Sequence, residues 1–292
     1  MTSVAQLKSH IRSVNNTKQI TSAMQLVAAS KMRRAVSRSL ATQPYNRYLN
    51  SLLVSLAGQE AAGRQPLMSK REVKNKLLIV IASDTGLAGA YNSNVLKYYL
   101  KELNRNREAG IKVKTIAIGR KAIRLASRLG EDVIGTYEGM SAGSVSAERG
   151  AIVATVIDEF LAHRVDAVDI IYTNYHSPVS QEVNVWKLLP AGQTNVADET
   201  ADAFAEESEF IFEPSRDEVL DALTKRAIEV QVAQTLFDSV ASEHSTRMLA
   251  MKNATDNAED LSRDLTLIMN KARQSAITTE LSDINNGANA VE

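Results

Sequence analysis

Apolar residues in the last quarter of the chain recur at steps of three and four. The line consists of Val230, Ala233, Phe237, Val240, His244, Met248 and Met251. This spacing is typical of a coiled-coil seam. After Pro214 there is no further proline and no glycine before Gly287, and Asp217 and Glu218 lie where a helix dipole favours acids. The pattern predicts a long coiled-coil helix within residues 214–292, roughly 105 Å from Pro214 to Gly287, too long for one globular domain.

Residues 1–57 show a second helical pattern. Thr2 or Ser3 is a suitable N-cap. The apolar line that follows is Val4, Leu7, Ile11 and Val14. At the next two positions of this spacing stand Lys18 and Thr21, so we expect the seam to falter and to shift around the helix, as after a stutter. The shifted apolar line is Ile20, Met24 and Val27.

Proline and glycine mark the end of this N-terminal coiled-coil helix. Pro44 is expected to kink or interrupt it, because proline lacks the N–H that the helix ladder needs. Residues 58–72 contain Gly63 and Pro66 and are predicted to be a linker.

The middle third has short apolar runs in place of a long helical period. Strands are predicted at 76–82, 113–118, 133–137, 167–175 and 182–189, and helices at 90–107, 120–129 and 146–163. The alternation predicts a doubly wound, Rossmann-like α/β head domain over residues 73–190. Its last strand follows a turn at Ser177-Pro178 and should be antiparallel to its neighbour.

The predicted fold is therefore α/β, with this head domain inserted between two long terminal helices. Because the ends of a domain usually lie close together, the two helices should return side by side as an antiparallel coiled coil, a rod extending from a compact head. Residues 191–213 are rich in Asp and Glu and are expected to be an acidic connector, with a docking strip for a basic partner as the alternative.

Composition narrows the functional classes. The formal net charge is +0, so no general attraction to nucleic acid is expected. The chain has no cysteine, which excludes disulfides and thiolate chemistry. No apolar run reaches the roughly 20 residues that span a bilayer. The N-terminal residues lack an apolar signal core, so we expect a soluble, intracellular protein.

The only candidate for a ligand loop is Asp84–Gly89, between a predicted strand and a helix, where doubly wound folds bind phosphates. It lacks the Gly-Lys-Ser/Thr ending of a P-loop and the third glycine of the dinucleotide motif. A structural turn is favoured, with a nucleotide site or a partner contact as alternatives. The four histidines show no ligand spacing. No catalytic, cofactor or metal site is predicted.

The end of the C-terminal helix has small and polar residues where a coiled coil has bulky ones. These are Ala272, Ser275, Ala276, Thr278, Thr279 and Ser282. A free, solvated helix end would explain them equally well. However, Ile268, Ile277, Leu281 and Ile284 offer apolar surface beyond the reach of the shorter N-terminal arm, which predicts a partner.

Four blocks of the sequence strongly resemble the ATP synthase gamma subunit family. They are Thr17–Ala35, Ser83–Asn92, Ala241–Ala258 and Asn270–Leu281, in family order and spread over nearly the whole chain. The resemblance implies the central rotor shaft of an F-type ATP synthase (the central stalk of its F1, or CF(1), part), a rotary motor that couples hydrogen ion transport to ATP synthesis. The shaft is not itself an enzyme, since nucleotides bind to the surrounding hexamer.

The resemblance also implies partners and contact residues. One copy per complex stands inside a hexamer of alpha and beta subunits, with the epsilon subunit and the membrane ring of c subunits at the head. Contacts to beta subunits are expected at Met24, Arg247, Arg273, Gln274 and Thr278, and packing at the shaft tip at Ala272, Ala276, Ile277 and Leu281. The implied location is peripheral, on the cytoplasmic face of the bacterial plasma (cell inner) membrane. An enzyme built on the α/β head and a generic coiled-coil adaptor remain as alternatives.

Overall fold

In the computed structural model the described residues are 3–57, 65–139, 145–192, 213 and 215–289. The chain forms two compact units. Unit 1 consists of Met1–Ala28 and Arg247–Glu292, and unit 2 of Ala29–Thr246. Each of the two long helices contributes to both units. The described helices are α1 (Val4–Ala57), α2 (Tyr91–Glu108), α3 (Arg120–Leu129), α4 (Val145–Leu161) and α5 (Arg216–Asn289).

Unit 2 contains a five-stranded sheet. Its strands are β1 (Asn75–Ile81), β2 (Lys112–Ile118), β3 (Asp132–Tyr137), β4 (Ala167–Ser177) and β5 (Ser180–Leu189). Their order is β3-β2-β1-β4-β5, and only β5 runs antiparallel to its neighbour. Every strand starts and ends within two residues of its predicted bounds. The α/β fold class and the antiparallel last strand are thus confirmed.

Helices cover both faces of the sheet, as a doubly wound fold requires. Helices α2 and α3 bury Val95, Tyr99 and Ala122 against one face. On the other face lie α4, the residues of α1 around Leu53, and the residues of α5 from Ala227 to Phe237. The central strand β1 is buried on both sides, which explains its apolar run from Leu77 to Ile81, and β4 is also buried from Ala167 to Thr173.

Several details differ from the sequence-based expectations. Helix α1 continues through Pro44 without interruption. Because proline has no N–H, the Leu40 carbonyl one turn earlier has no helical donor. Pro44 and Leu40 both lie on the exposed side of the helix, where water can replace the missing hydrogen bond. Leu67 and Met68, assigned to the linker, form a short 3₁₀ turn and are buried in the core. Helix α5 also continues past Gly287 to Asn289. The predicted domain boundaries stay a prediction.

The N-cap of α1 is Ser3, while Thr2 lies outside the described residues. The Ser3 hydroxyl accepts a hydrogen bond from the Gln6 N–H at 3.2 Å, and the Gln6 side chain accepts one from the Ser3 N–H at 3.0 Å. This reciprocal pair is a capping box.

The expected stutter in α1 is wrong. Buried or half-buried residues continue at alternating steps of three and four from the first heptad to Leu53, the last residue of α1 whose burial the structure describes. After Val14 the line is Lys18, Thr21, Gln25, Ala28, Met32, Ala35, Ser39, Thr42, Asn46, Leu49 and Leu53. By contrast, Ile20 and Val27 of the predicted second line are 61% and 56% exposed. The seam does not shift, because polar residues occupy it and form hydrogen bonds across it.

Candidate partner-binding surface

In unit 1, α1 and α5 pair in antiparallel orientation through polar contacts. The hydroxyls of Thr21 and Thr255 are 2.7 Å apart, and Ser262 donates to the Asn15 side chain at 3.0 Å. Lys18 Nζ lies 3.1 Å from a carboxylate oxygen of Glu259. Since both helices rise equally per residue, this register places the start of α1, Val4, opposite about residue 273 of α5.

Helix α5 therefore extends beyond the residues that α1 can cover. Met269 and Ala272 are still half-buried. From Arg273 to Asn286, every residue whose burial the structure describes is exposed. In this chain alone, these residues have no core to support, so their side chains are available to a partner. We call residues 273–286 the tip.

Two faces of the tip carry different chemistry. Ile277, Leu281 and Ile284 recur at steps of four and three and form an apolar ridge, with exposures of 45%, 62% and 68%. Arg273 precedes Ile277 on the same face by one turn. Gln274 and Thr278 form the adjoining polar face, where the Thr278 hydroxyl donates to the Gln274 carbonyl at 3.0 Å. An exposed apolar ridge next to long polar side chains is more typical of a protein-binding site than of a helix end that stays in solvent.

Ala272 and Ala276 continue the seam of α5 past the end of its pairing with α1. The seam runs at steps of four and three through Ala258, Ser262, Leu265, Met269, Ala272 and Ala276. Ala272 is half-buried and Ala276 is exposed. Small side chains at these positions leave a smooth surface where a partner helix would otherwise interlock with larger ones.

The structure does not bring all predicted contact residues together. Arg247 is only 7% exposed and lies 26 residues before Arg273, about 39 Å along the same helix. Met24 is half-buried at the edge of the α1 seam. The tip residues and this pair therefore belong to two separate regions of unit 1.

Exposed apolar residues away from the tip were not predicted as a surface. In unit 1 they are Ile20, Leu26 and Val27 on α1, and Leu261 and Leu267 on α5, between 50% and 68% exposed. Ile268 was predicted to be partner surface beyond the reach of α1; it is 54% exposed, but it lies before residue 273, within the length that pairs with α1. The exposed residues on α1 could have been identified from the sequence, because they lie off the seam that continues without interruption at alternating steps of three and four.

The Asp84–Gly89 loop is a structural turn. Asp84 accepts hydrogen bonds from the backbone N–H groups of Arg120 and Gly139, at 3.1 and 2.9 Å. It thereby ties the end of β1 to the start of α3 and the residues after β3. Burial and the charge of Asp84 raise the pKa of the Glu148 carboxyl. Two neighbouring carboxyl groups oppose the binding of a phosphate at this edge.

Among the described residues there is no group of three or more His, Cys, Asp or Glu that could bind a metal. Within the same part of the chain, no helix is both long and apolar enough to cross a membrane.

Comparison with known proteins gives consistent results. The ATP synthase family model matches residues 3–291. The ATP synthase gamma chain of Sulfurihydrogenibium sp. (strain YO3AOP1) is 39% identical over 98% of this chain and 97% of its own length. The gamma chain of Ralstonia nicotianae is 36% identical over 100% of both chains.

Solved structures share the fold. A chain of the Euglena gracilis mitochondrial ATP synthase, from a structure of OSCP, F1 and the c-ring, has a TM-score of 0.65 and 18% identity, covering 99% of this chain and 94% of its own. A chain from the central stalk and c-ring of the Tetrahymena thermophila enzyme has a TM-score of 0.58 and 23% identity, covering 80% and 99%. Because the family model spans nearly the whole sequence and gamma chains align over their full length at 36–39% identity, this chain belongs to the ATP synthase gamma-chain family.

Proposed function

We propose that this chain is the central rotor shaft of an F-type ATP synthase and that it couples rotation of a membrane ring to conformational change in the catalytic hexamer. The observation that carries the proposal is the tip, an uncovered helix end with an apolar ridge, in a chain of the gamma family. In this role unit 1 enters the hexamer of alpha and beta subunits, and the tip residues Arg273, Gln274 and Thr278 contact beta subunits.

The mechanism follows from the asymmetry of the tip. Its apolar ridge and its polar face point in different directions, so each of three beta subunits around it meets different chemistry. A difference in contact free energy is what biases a subunit toward one conformation. Linkage makes the bias reciprocal, so that nucleotide occupancy also favours particular angles of the shaft.

The shaft itself is not catalytic in this proposal. Its only candidate ligand loop, Asp84–Gly89, uses its carboxylate for backbone hydrogen bonds. Nucleotides are bound and converted by the hexamer. We propose one copy per complex, with the epsilon subunit and the c-ring as partners of unit 2, no nucleic-acid partner, and a peripheral location on the cytoplasmic face of the bacterial plasma membrane.

The test is co-purification of the tagged chain with its partners. We expect alpha, beta and epsilon subunits and the c-ring to purify with the wild-type chain. Replacing the ridge by Ile277→Asp, Leu281→Asp and Ile284→Asp should weaken retention of the hexamer by about tenfold or more, since it places charges on an apolar contact.

A matched control replaces three exposed apolar residues of unit 2: Leu129→Asp, Leu161→Asp and Val179→Asp. This control should retain the hexamer. Recovery of the chain without alpha and beta subunits would refute the proposed function, and equal losses in the two triple variants would refute the role of the tip.

A further inference from the structure

Three buried serines line the face of α5 that meets the sheet in unit 2. Ser239, Ser242 and Ser245 follow each other at steps of three and are 1%, 0% and 0% exposed. We call them the serine row. A buried hydroxyl is costly unless it forms hydrogen bonds, so these residues need partners.

Each serine bonds to the backbone of β4 or of the turn that follows it. Ser239 Oγ accepts from the Thr173 N–H at 3.4 Å, and Ser242 Oγ donates to the Thr173 carbonyl at 3.2 Å. Ser245 Oγ donates to the Pro178 carbonyl at 2.7 Å. The Gln181 side chain donates to Ser245 Oγ at 3.4 Å and to the Pro178 carbonyl at 2.8 Å.

The sheet leaves these backbone groups available. The ladder between β1 and β4 ends at Val80 and Ile171, whereas β4 continues to Ser177. Beyond Ile171, β4 therefore has no strand on the side of β1, and unpaired backbone groups there would be costly when buried. The serine row replaces the missing strand, and its small side chains let the helix approach the backbone closely.

The same segment of α5 is also bonded to α1, through residues about two and three turns before Ser245 that share its side of the helix. Ser39 donates to Asp238 Oδ1 at 2.6 Å, and Thr42 donates to the Gln234 side-chain oxygen at 2.7 Å. Between residues 234 and 245, α5 thus has directional contacts both to the sheet and to α1. Apolar contacts are non-directional and change little when a helix turns about its axis, whereas hydrogen bonds weaken steeply with misalignment.

From this arrangement we infer that the serine row is the torque coupling between the sheet and α5: it positions the helix so that the head and the shaft turn together. The inference rests on the proposed rotor function and adds the residues through which unit 2 turns the helix. It predicts that removing the hydroxyls softens the connection in torsion while the apolar packing around it remains.

The experiment measures torsional stiffness in the assembled complex. The chain has no cysteine, so Ser127→Cys on the exposed side of α3 gives a single labelling site. A bead attached there reports the angle of the head while the hexamer is immobilised. In the triple variant Ser239→Ala, Ser242→Ala and Ser245→Ala, the variance of the bead angle during pauses should rise by roughly twofold or more, because three directional bonds are lost.

Val240→Ala is the matched control, since Val240 is 4% exposed in the same turn of α5 and carries no hydrogen bond through its side chain. It should lower the melting temperature without raising the angular variance. If the triple variant does not assemble, the single variants Ser242→Ala and Ser245→Ala are measured instead, and each should raise the variance of the bead angle.

Wild-type variance in the serine variants, or an equal rise in Val240→Ala, would overturn the inference while leaving the rotor function intact. A wild-type complex whose bead never turns with ATP would instead refute the rotor function itself, so the two failures are distinguishable.

Discussion

Gly119 joins β2 to α3 in a conformation that only glycine adopts readily. Its φ is +86°, and a Cβ at this position would lie 2.1 Å from the carbonyl oxygen of Ala82. The close approach exists because Ala82 continues the β1–β2 ladder by donating to the Ile118 carbonyl at 2.9 Å. Strain and steric overlap therefore act together at one residue.

We expect Gly119→Ala to lower the free energy of unfolding by roughly 3 kcal/mol or more, because the strand end or the helix start must move. Gly110→Ala is the control: its φ is +71°, but no atom lies within 4 Å of the added Cβ. That variant should lose about 1 kcal/mol from backbone strain alone. Urea unfolding of both variants gives the comparison, and equal losses would show that the overlap is relieved at no cost.

Asp238 is a buried carboxylate between α5 and α1. It is 7% exposed, and burial raises its pKa, although hydrogen bonds from Ser39 and Gln234 oppose the rise. Because the pKa in the folded state exceeds the ordinary value of 3.8, the charged form costs stability. That cost is complete above the folded pKa, and it decreases as the pH falls through the folded pKa.

Asp238→Asn removes this titration. We expect the wild-type chain to gain stability relative to the variant as the pH is lowered from about 8 to about 4, the direction expected for an acid with a raised pKa. Asp221→Asn is the control for the substitution itself, on a half-exposed carboxylate of the same helix that pairs with Lys225 at 2.7 Å. Denaturant midpoints measured across this range test the prediction. A difference in stability between wild type and Asp238→Asn that does not change with pH, or that shifts in favour of the variant as the pH falls, would contradict it.

At the scale of elements, the α1 seam shows where sequence patterns mislead. The spacing of apolar residues predicts burial correctly at Leu7 and incorrectly at Ile20. It ignores polar residues that are buried because they form hydrogen bonds with each other across the seam. Thr21 is buried through its contact with Thr255, 234 residues away. No local pattern in the sequence contains that information.

Leu7 and Leu26 allow a matched test of the corrected seam. Both are leucines on α1 in unit 1, 6% and 68% exposed. Leu7→Ala should cost about 2 kcal/mol or more of local stability, and Leu26→Ala less than about 0.5 kcal/mol. Hydrogen exchange of the amides of α1 reports that stability, and an equal or larger effect at Leu26 would contradict the assignment of Leu7 to the buried seam and of Leu26 to the exposed side.

The head was predictable for a physical reason. Strands buried on both faces, such as β1, are short unbroken apolar runs, and the helices between them end at glycines such as Gly130, which takes a left-handed conformation after α3. The sequence also located the tip, since Ile277 and Leu281 lie where no second arm could cover them. The serine row was not predictable, because its role depends on how far β4 extends beyond the end of its pairing with β1.

At the scale of the whole chain, the first and last helices pair while the middle forms the sheet, and α5 outlasts α1 at the tip. The seam of α5 continues into the tip as alanine, with Ala272 directly before the tip and Ala276 within it. If the proposed hexamer surrounds the tip, alanines on the seam add no steric barrier to the angular preference that the ridge and the polar face create, whereas a bulky side chain would interlock with its surroundings at particular angles.

Ala276→Trp tests this idea without disturbing the chain itself. Ala276 is exposed, so the free energy of unfolding of the isolated chain should change by less than about 0.5 kcal/mol. Within the complex, an interlocking cost of about 1 kcal/mol per step would slow ATP-driven rotation about fivefold. Ser127→Trp, on the exposed side of α3, should rotate at wild-type speed. Single-molecule rotation measures both variants; an Ala276→Trp complex that assembles and turns as fast as wild type would show that the small residues at the tip serve no purpose in turning.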